Sequence, residues 1–269
     1  MDASSIRLVV FDMAGTIIDH GSIAPVAALI AAFRDLGLEL SVEDARGPMG
    51  LHKRDHIAQI LRVPSVVARW KTLFGRAPAD ADAQAIYEQF LPVQSAEAQA
   101  RTELIPGAIP CLSSLRERRI AVGTTTGYPR SIGQPIVDTV RTQGWAADYS
   151  MFPDDVQSGR PAPWMIFRLM ELTGVYPAVA VIKIGDTVPD VEEGRNAGAW
   201  SIGITETGSE IGLPLEEWQA IPKLERTCRA AAAGEKLLRA GAHAVIGSVA
   251  ELPTLIDELE GKLRRGERP

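Results

Sequence analysis

Three apolar, β-branched runs in this chain each stop abruptly at polar residues or glycine. They are Leu8-Val9-Val10-Phe11 before Asp12, Ile120-Ala121-Val122 before Gly123 and Thr124, and Val179-Ala180-Val181-Ile182 before Gly185 and Asp186. Unbroken apolar runs of this length suit central strands of a parallel sheet, which are covered on both faces. Trp200 to Ile204 and Ala242 to Ile246 read as two further strands. Between them, Ala108 to Arg118, Pro163 to Leu172, Val188 to Ala197 and Val249 to Leu263 carry helical patterning. Strands alternating with helices predict an α/β fold with a doubly wound, mainly parallel sheet.

The stretch from Gly21 to about Arg101 breaks that rhythm. It offers helical patterns over Ala24 to Leu36, Leu51 to Leu61, Ser65 to Phe74 and Ala81 to Ala100, and no strand. It is too long for a simple crossover. The pattern therefore predicts a Rossmann-like core formed by residues 1–20 and 101–269, with a helical cap, residues 21–100, inserted after the first strand.

Composition narrows the class. A chain of 269 residues, 46% hydrophobic, can bury one large core and a smaller second one. The two cysteines, Cys111 and Cys228, lie far apart with no ligand-spaced His, Asp or Glu nearby, which argues against a disulfide framework or a zinc site. A net charge of −6 with dispersed basic residues argues against nucleic acid and points to a small ligand. No apolar run approaches the roughly 20 residues that span a bilayer, so the expected setting is cytoplasmic, away from membranes.

Ligands of open α/β sheets bind beyond the carboxyl ends of the strands, where Asp12, Thr126 and Asp186 all fall. An Asp after a strand is by itself more often a turn or cap residue. Three such positions converging from separate strands carry more weight. Asp186-Thr187-Val188-Pro189-Asp190 supplies two carboxylates, and an all-oxygen donor set suits a hard cation such as Mg2+. Asp190 reads equally as a metal ligand or as an acid complementing the dipole of the next helix. Thr124-Thr125-Thr126-Gly127 can cradle phosphoryl oxygens, and Arg160 in Gly159-Arg160-Pro161 can bind them through its fork of donors.

Together LVVFDMAGTIID, TTTG, SGRP and IGDTVPD resemble the haloacid dehalogenase superfamily over Leu8 to about Gly203. The resemblance implies phosphoryl transfer through an aspartyl phosphate. Asp12 would be the nucleophile, Asp12, Asp186 and the Ala14 carbonyl would hold Mg2+, with Asp190 a further candidate ligand, Thr126 would bind the phosphoryl group, and Arg160 would stand where a lysine is usual. One departure is informative. Phosphatases of this superfamily carry a second Asp two residues after the nucleophile, as the acid that protonates the leaving group, and here that position is Ala14.

A leaving group that needs no such acid is suggested by the cap. In Leu51-His52-Lys53-Arg54-Asp55-His56-Ile57-Ala58-Gln59-Ile60-Leu61, residues Lys53, His56, Ile57, Ile60 and Leu61 share one helical face, which puts Lys53 at the end of an apolar stripe. Taken alone, it would be expected to snorkel to water. Desolvation and the neighbouring charge of Arg54 both favour the neutral, nucleophilic amine. An imine between Lys53 and a substrate aldehyde would accept the electrons of a cleaved carbon–phosphorus bond, so that Ala14 and Lys53 explain each other. His56, one turn away, is placed to shuttle protons.

FDMAGTIIDHGS, GPMGLHKRDHI, TTTGYPR, GRPAPWM, GVYP and EEGRNAGAW are similar, in order and spacing, to the phosphonoacetaldehyde hydrolase family over nearly the whole chain. That resemblance implies hydrolysis of a small phosphonate late in 2-aminoethylphosphonate degradation, by a homodimer contacting through its caps. Gly127, Tyr128 and Met49 would join Thr126 near the substrate, and Met13 and Ser22 depart from the family pattern beside the nucleophile. The competing expectations are an ordinary phosphate-ester hydrolase or mutase, which Ala14 disfavours, and a non-catalytic metabolite-binding relic, which retention of Asp12, Asp186, Arg160 and Lys53 disfavours.

Overall fold

The computed structural model describes residues 5–47, 49 and 51–269, so Pro48 and Gly50 of the turn before Lys53 lie outside the described residues. Six parallel strands form one sheet: β1 (Leu8–Phe11), β2 (Ala121–Thr125), β3 (Tyr149–Met151), β4 (Val181–Gly185), β5 (Trp200–Ile204) and β6 (Ala244–Ile246), in the order β3-β2-β1-β4-β5-β6. Successive residues of β1 serve opposite faces of the sheet. Leu8 and Val10 cluster with Ile166 and Leu169 on one side, whereas Val9 and Phe11 cluster with Leu115, Ile256 and Leu259 on the other. All four β1 residues are buried, as the unbroken apolar run requires.

Of the helices between β1 and β2, the first five form the insertion: α1 (Ile23–Asp35), α2 (Val42–Arg46), α3 (Lys53–Ile60), α4 (Pro64–Phe74) and α5 (Asp80–Gln99). They enclose their own apolar cluster, which draws on Leu29, Phe33, Ile57, Ile60, Trp70, Ile86 and Phe90. The remaining helices are α6 (Ala108–Glu117), α7 (Arg130–Thr142), α8 (Trp164–Thr173), α9 (Val188–Asn196), α10 (Leu215–Ala220), α11 (Lys223–Arg239) and α12 (Leu252–Arg264). No helix among the described residues is long and apolar enough to cross a membrane.

Two strands reach further than their apolar runs. β2 continues through Gly123 to Thr125, pairing Gly123 with Val10 and Thr124 with Phe11, and β4 runs from Val181 through Lys183 to Gly185. The sheet tolerates these polar residues because neighbouring strands satisfy the backbone on both sides. The edge strand β3 was not expected, being three residues long and partly exposed. Neither were α2, which spans five residues, α7, which carries Pro135 inside, or α10 and α11.

Strand order reverses around β1, with β2 on one side and β4 on the other, which opens a crevice at the carboxyl ends of these strands. Asp12, Thr126 and Asp186 each follow directly on one of those ends.

Candidate active site

Asp12 is buried, its backbone N–H bonded to Ile184 O at 2.8 Å. Its Oδ1 lies 2.8 Å from Arg160 Nη2, while Arg160 Nη1 lies 2.8 Å from Asp190 Oδ1 and Nε donates to Glu193 Oε2 at 3.1 Å. Arg160 Nη2 also donates to Thr125 O at 2.7 Å and Thr125 Oγ1 at 2.9 Å. The guanidinium is thus held in a fixed orientation beside the Asp12 carboxylate. Burial opposes its charge, but Asp190, Asp12 and Glu193 together raise its pKa above the ordinary value.

A second cation, not anticipated from the sequence, shares this network. Lys183, fully buried on β4, lies 2.8 Å from Asp190 Oδ1 and 3.3 Å from Glu193 Oε2 and donates to Thr125 Oγ1 at 2.9 Å. The sequence held a signal for it. A lysine inside an otherwise apolar central strand is rare unless paired, and Asp190 and Glu193 stand three apart on α9, on one face.

Asp190, one of the expected metal ligands, belongs to the group of three carboxylates that could hold a cation and also caps the next helix. Its Oδ1 faces two cations and its Oδ2 accepts from both Thr187 N (3.2 Å) and Thr187 Oγ1, completing a capping box on α9. Burial disfavours its charge, yet Arg160 and Lys183 keep its pKa below the usual carboxylate value. Asp190 thus orients Arg160 as its counter-charge, while its buried Oδ1, without a hydrogen-bond partner among the described residues, also belongs to the carboxylate group that could receive a cation.

Asp186 differs. Its Oδ2 accepts the Ser209 N–H at 2.7 Å, but its buried Oδ1 has no hydrogen-bond partner. Carboxylate oxygens of Asp12, Asp186 and Asp190 lie within 4.8 Å of one another. Burial, followed by the like charges of Asp12 and Asp190, raises the pKa of Asp186 well above the ordinary value, and burial with Asp190 raises that of Asp12. Crowded carboxylates with oxygens on Asp186 and Asp190 that lack a hydrogen-bond partner make a donor set that a hard divalent cation fits. The turn after Asp12 permits this closeness. Gly15 adopts φ +82°, and a Cβ there would stand 2.7 Å from Asp186 Oδ2.

The helical cap contributes one side of the site. Asp12, Ala14, Thr126, Gly127, Tyr128, Arg160, Asp186 and Asp190 line one pocket with Met49 and Lys53, and its empty space, open solvent at the mouth included, is about 330 Å³. Ser22, noted above as a departure from the family pattern, also lines it, as do Pro25 and Thr187, which were not foreseen. Tyr128 N donates to Thr126 Oγ1 at 3.2 Å, and burial raises the Tyr128 pKa, so the phenol keeps its proton.

Lys53, the first residue of α3, is 3% exposed and forms no ion pair or hydrogen bond through its amine among the described residues. Burial lowers its pKa from 10.5 to about 8; Asp12 and Asp186 oppose the shift and Arg160 adds to it. The positive end of α3 acts in the same direction. The cationic neighbour is therefore Arg160 and not Arg54, which is bonded to Gln84 and Asp80 on α5.

His56 does not line the cavity. It is fully buried on α3 behind Lys53, its Nε2 is 2.8 Å from Ala45 O, and burial pushes its pKa down to about 3. The ring is neutral at ordinary pH, with Nδ1 lacking a partner. The ring thus sits next to Lys53, whose charge adds to the downward shift, with one nitrogen held by Ala45 and the other unpartnered among the described residues.

Comparison with known proteins agrees with this geometry. Residues 6–198 match the haloacid dehalogenase-like hydrolases. The chain is 41% identical to a phosphonoacetaldehyde hydrolase of Paraburkholderia xenovorans over 98% of its own length and 99% of the relative's. It is 40% identical to the protein of that name from Paraburkholderia phytofirmans, again over 98% of this chain and 99% of the other. The crystal structure of a phosphonoacetaldehyde hydrolase-like protein from Oleispira antarctica superposes with a TM-score of 0.97 at 36% identity, covering 99% of this chain and 97% of that one. With near-complete coverage at this identity, the chain belongs to the phosphonoacetaldehyde hydrolase family of haloacid dehalogenase-like hydrolases.

Proposed function

We propose that this protein hydrolyses phosphonoacetaldehyde to acetaldehyde and phosphate, through an imine on Lys53 and an aspartyl phosphate on Asp12. The carrying observation is that an unpaired, desolvated amine with a pKa near 8 shares one pocket with the Asp12 carboxylate, while Ala14 stands where a phosphatase has its acid.

The Lys53 amine adds to the substrate aldehyde and water leaves, giving an imine. Asp12 attacks phosphorus; the carbon–phosphorus bond breaks, and its electron pair moves through the adjacent carbon to the protonated imine nitrogen, forming an enamine. No acid at position 14 is needed. The enamine is protonated on carbon to the acetaldehyde imine, which water hydrolyses to free Lys53, and a second water cleaves the aspartyl phosphate. Arg160, locked between Asp12 and Asp190, and the Thr126–Gly127 turn hold the phosphoryl oxygens.

Mg2+ suits the Asp12 and Asp186 carboxylates with the Ala14 carbonyl, and its role when bound is to offset phosphoryl charge. Residues 21–100 act as a cap that excludes water once Lys53 meets the substrate. The same reading includes a cytoplasmic homodimer joined through its caps, acting late in 2-aminoethylphosphonate degradation.

Borohydride added with phosphonoacetaldehyde should inactivate the enzyme by reducing an adduct on Lys53. In a coupled assay for acetaldehyde and phosphate, Lys53→Arg should show no turnover with the fold intact. Full activity in that variant ends the imine proposal. Appreciable release of phosphate from a generic aryl phosphate would favour an ordinary phosphatase instead.

A further inference from the structure

Arg46, the last residue of α2, forms no ion pair among the described residues. It reaches across to the core instead. Nη1 donates to Ser209 O at 2.7 Å and Gly21 O at 3.2 Å, and Nη2 to Gly212 O at 3.2 Å. Three carbonyls in a fixed fork are a geometric match for a guanidinium that an ammonium cannot reproduce. Gly212 leaves room for it, since its φ is +66° and a Cβ would stand 2.6 Å from Arg46 Cζ.

The gripped segment, residues 205–213, is also what arranges the carboxylate site. Ser209 N donates to Asp186 Oδ2 at 2.7 Å, Thr207 Oγ1 donates to Gly15 O at 2.7 Å, and Gly21 N donates to Thr207 O at 2.7 Å. Arg46 therefore holds the carbonyl side of a residue whose amide holds Asp186. Of the acids whose charge reaches Arg46, Asp186 has the largest influence, ahead of Asp19 and Glu210.

We infer that Arg46 is a positioning residue that couples cap docking to the placement of Asp186. When the cap docks, the guanidinium gathers the Ser209 and Gly212 carbonyls and fixes segment 205–213, and the Ser209 amide then holds Asp186 with Oδ1 free toward the cavity. By linkage, a cation held by Asp186 favours cap docking by the same factor that docking favours the cation. This rests on the reading above, in which Asp186 holds a divalent cation and residues 21–100 close as a cap.

The test uses full-length protein and two readouts other than turnover. In metal-free protein, amide hydrogen exchange is followed at Ser209, Ile211 and Gly212, with β1 and β4 as internal reference; Mg2+ affinity is then measured by calorimetry with and without inorganic phosphate. Arg46→Ala should speed exchange in 205–213 alone and weaken Mg2+ binding about 10- to 100-fold, the usual cost of losing an outer support of a metal ligand. Arg46→Lys should recover only part of each. Gly212→Ala, which displaces the guanidinium and leaves Arg46 itself in the chain, should reproduce the effect and serves if Arg46→Ala folds poorly. Exchange and Mg2+ affinity equal to wild type in both Arg46→Ala and Gly212→Ala would overturn the inference. Absence of Mg2+ binding by the wild type would instead refute the metal reading, with the exchange data still deciding the role of Arg46.

Discussion

Replacing Lys53 by methionine should make the protein more stable while abolishing its activity. Lys53 is 3% exposed, has no counter-ion within bonding distance among the described residues, and titrates near 8 where 10.5 is ordinary. For a base, a lowered folded-state pKa means that the unfolded chain binds the proton more tightly, so the cation costs stability wherever the unfolded lysine is charged. The cost is present in full below the folded pKa and fades as pH rises from about 8 toward 10.5. A shift of about 2.5 units amounts to about 3 kcal/mol at pH 7, falling to about 1 kcal/mol at pH 9.5. Methionine has similar length and no charge, so Lys53→Met should recover these amounts. Urea denaturation of both proteins at the two pH values measures the gap. If Lys53→Met is no more stable than wild type at pH 7, or if the gap does not narrow with rising pH, then the amine is not desolvated as described and the account of its nucleophilicity falls with it. The same titration predicts that borohydride trapping in wild type accelerates with pH up to about 8 and then levels off, as the neutral fraction saturates.

Two other predictions concern the core. Lys183→Met leaves Asp190 and Glu193 with Arg160 as their remaining cation, and should destabilise the fold by about 3–5 kcal/mol in chemical denaturation, with Glu193→Gln added in the same chain restoring part of the loss. Gly15→Ala puts a Cβ 2.7 Å from Asp186 Oδ2 at a left-handed φ; it should cost about 1–2 kcal/mol and weaken Mg2+ binding in a titration, and unchanged Mg2+ affinity would show that the turn does not shape the carboxylate site.

The order of elements was legible in the sequence because burial on both faces leaves a one-dimensional trace. β1 and β5 coincide with their apolar runs, and the helix-only interval after β1 announces the inserted cap. Asp12, Thr126, Gly127, Arg160, Asp186, Lys53, Met49 and Tyr128 could each be picked out from local motifs, and the fold brings all of them to one cavity. What no local pattern carried was which charge faces which. Arg54 adjoins Lys53 in sequence yet turns to α5, while Arg160, far away in sequence, is the cation that Lys53 senses. Asp190 sits where a ligand is expected and is also held by two buried cations and a helix cap, and His56, one turn from Lys53, is fixed by the Ala45 carbonyl. The link from Arg46 through Ser209 to Asp186 spans the cap, a core loop and a strand end. The physical reason is range. Hydrophobic periodicity and motif spacing are written along the chain, whereas desolvation and ion pairing depend on distances of a few ångström between residues far apart in sequence, and only the tertiary structure sets those.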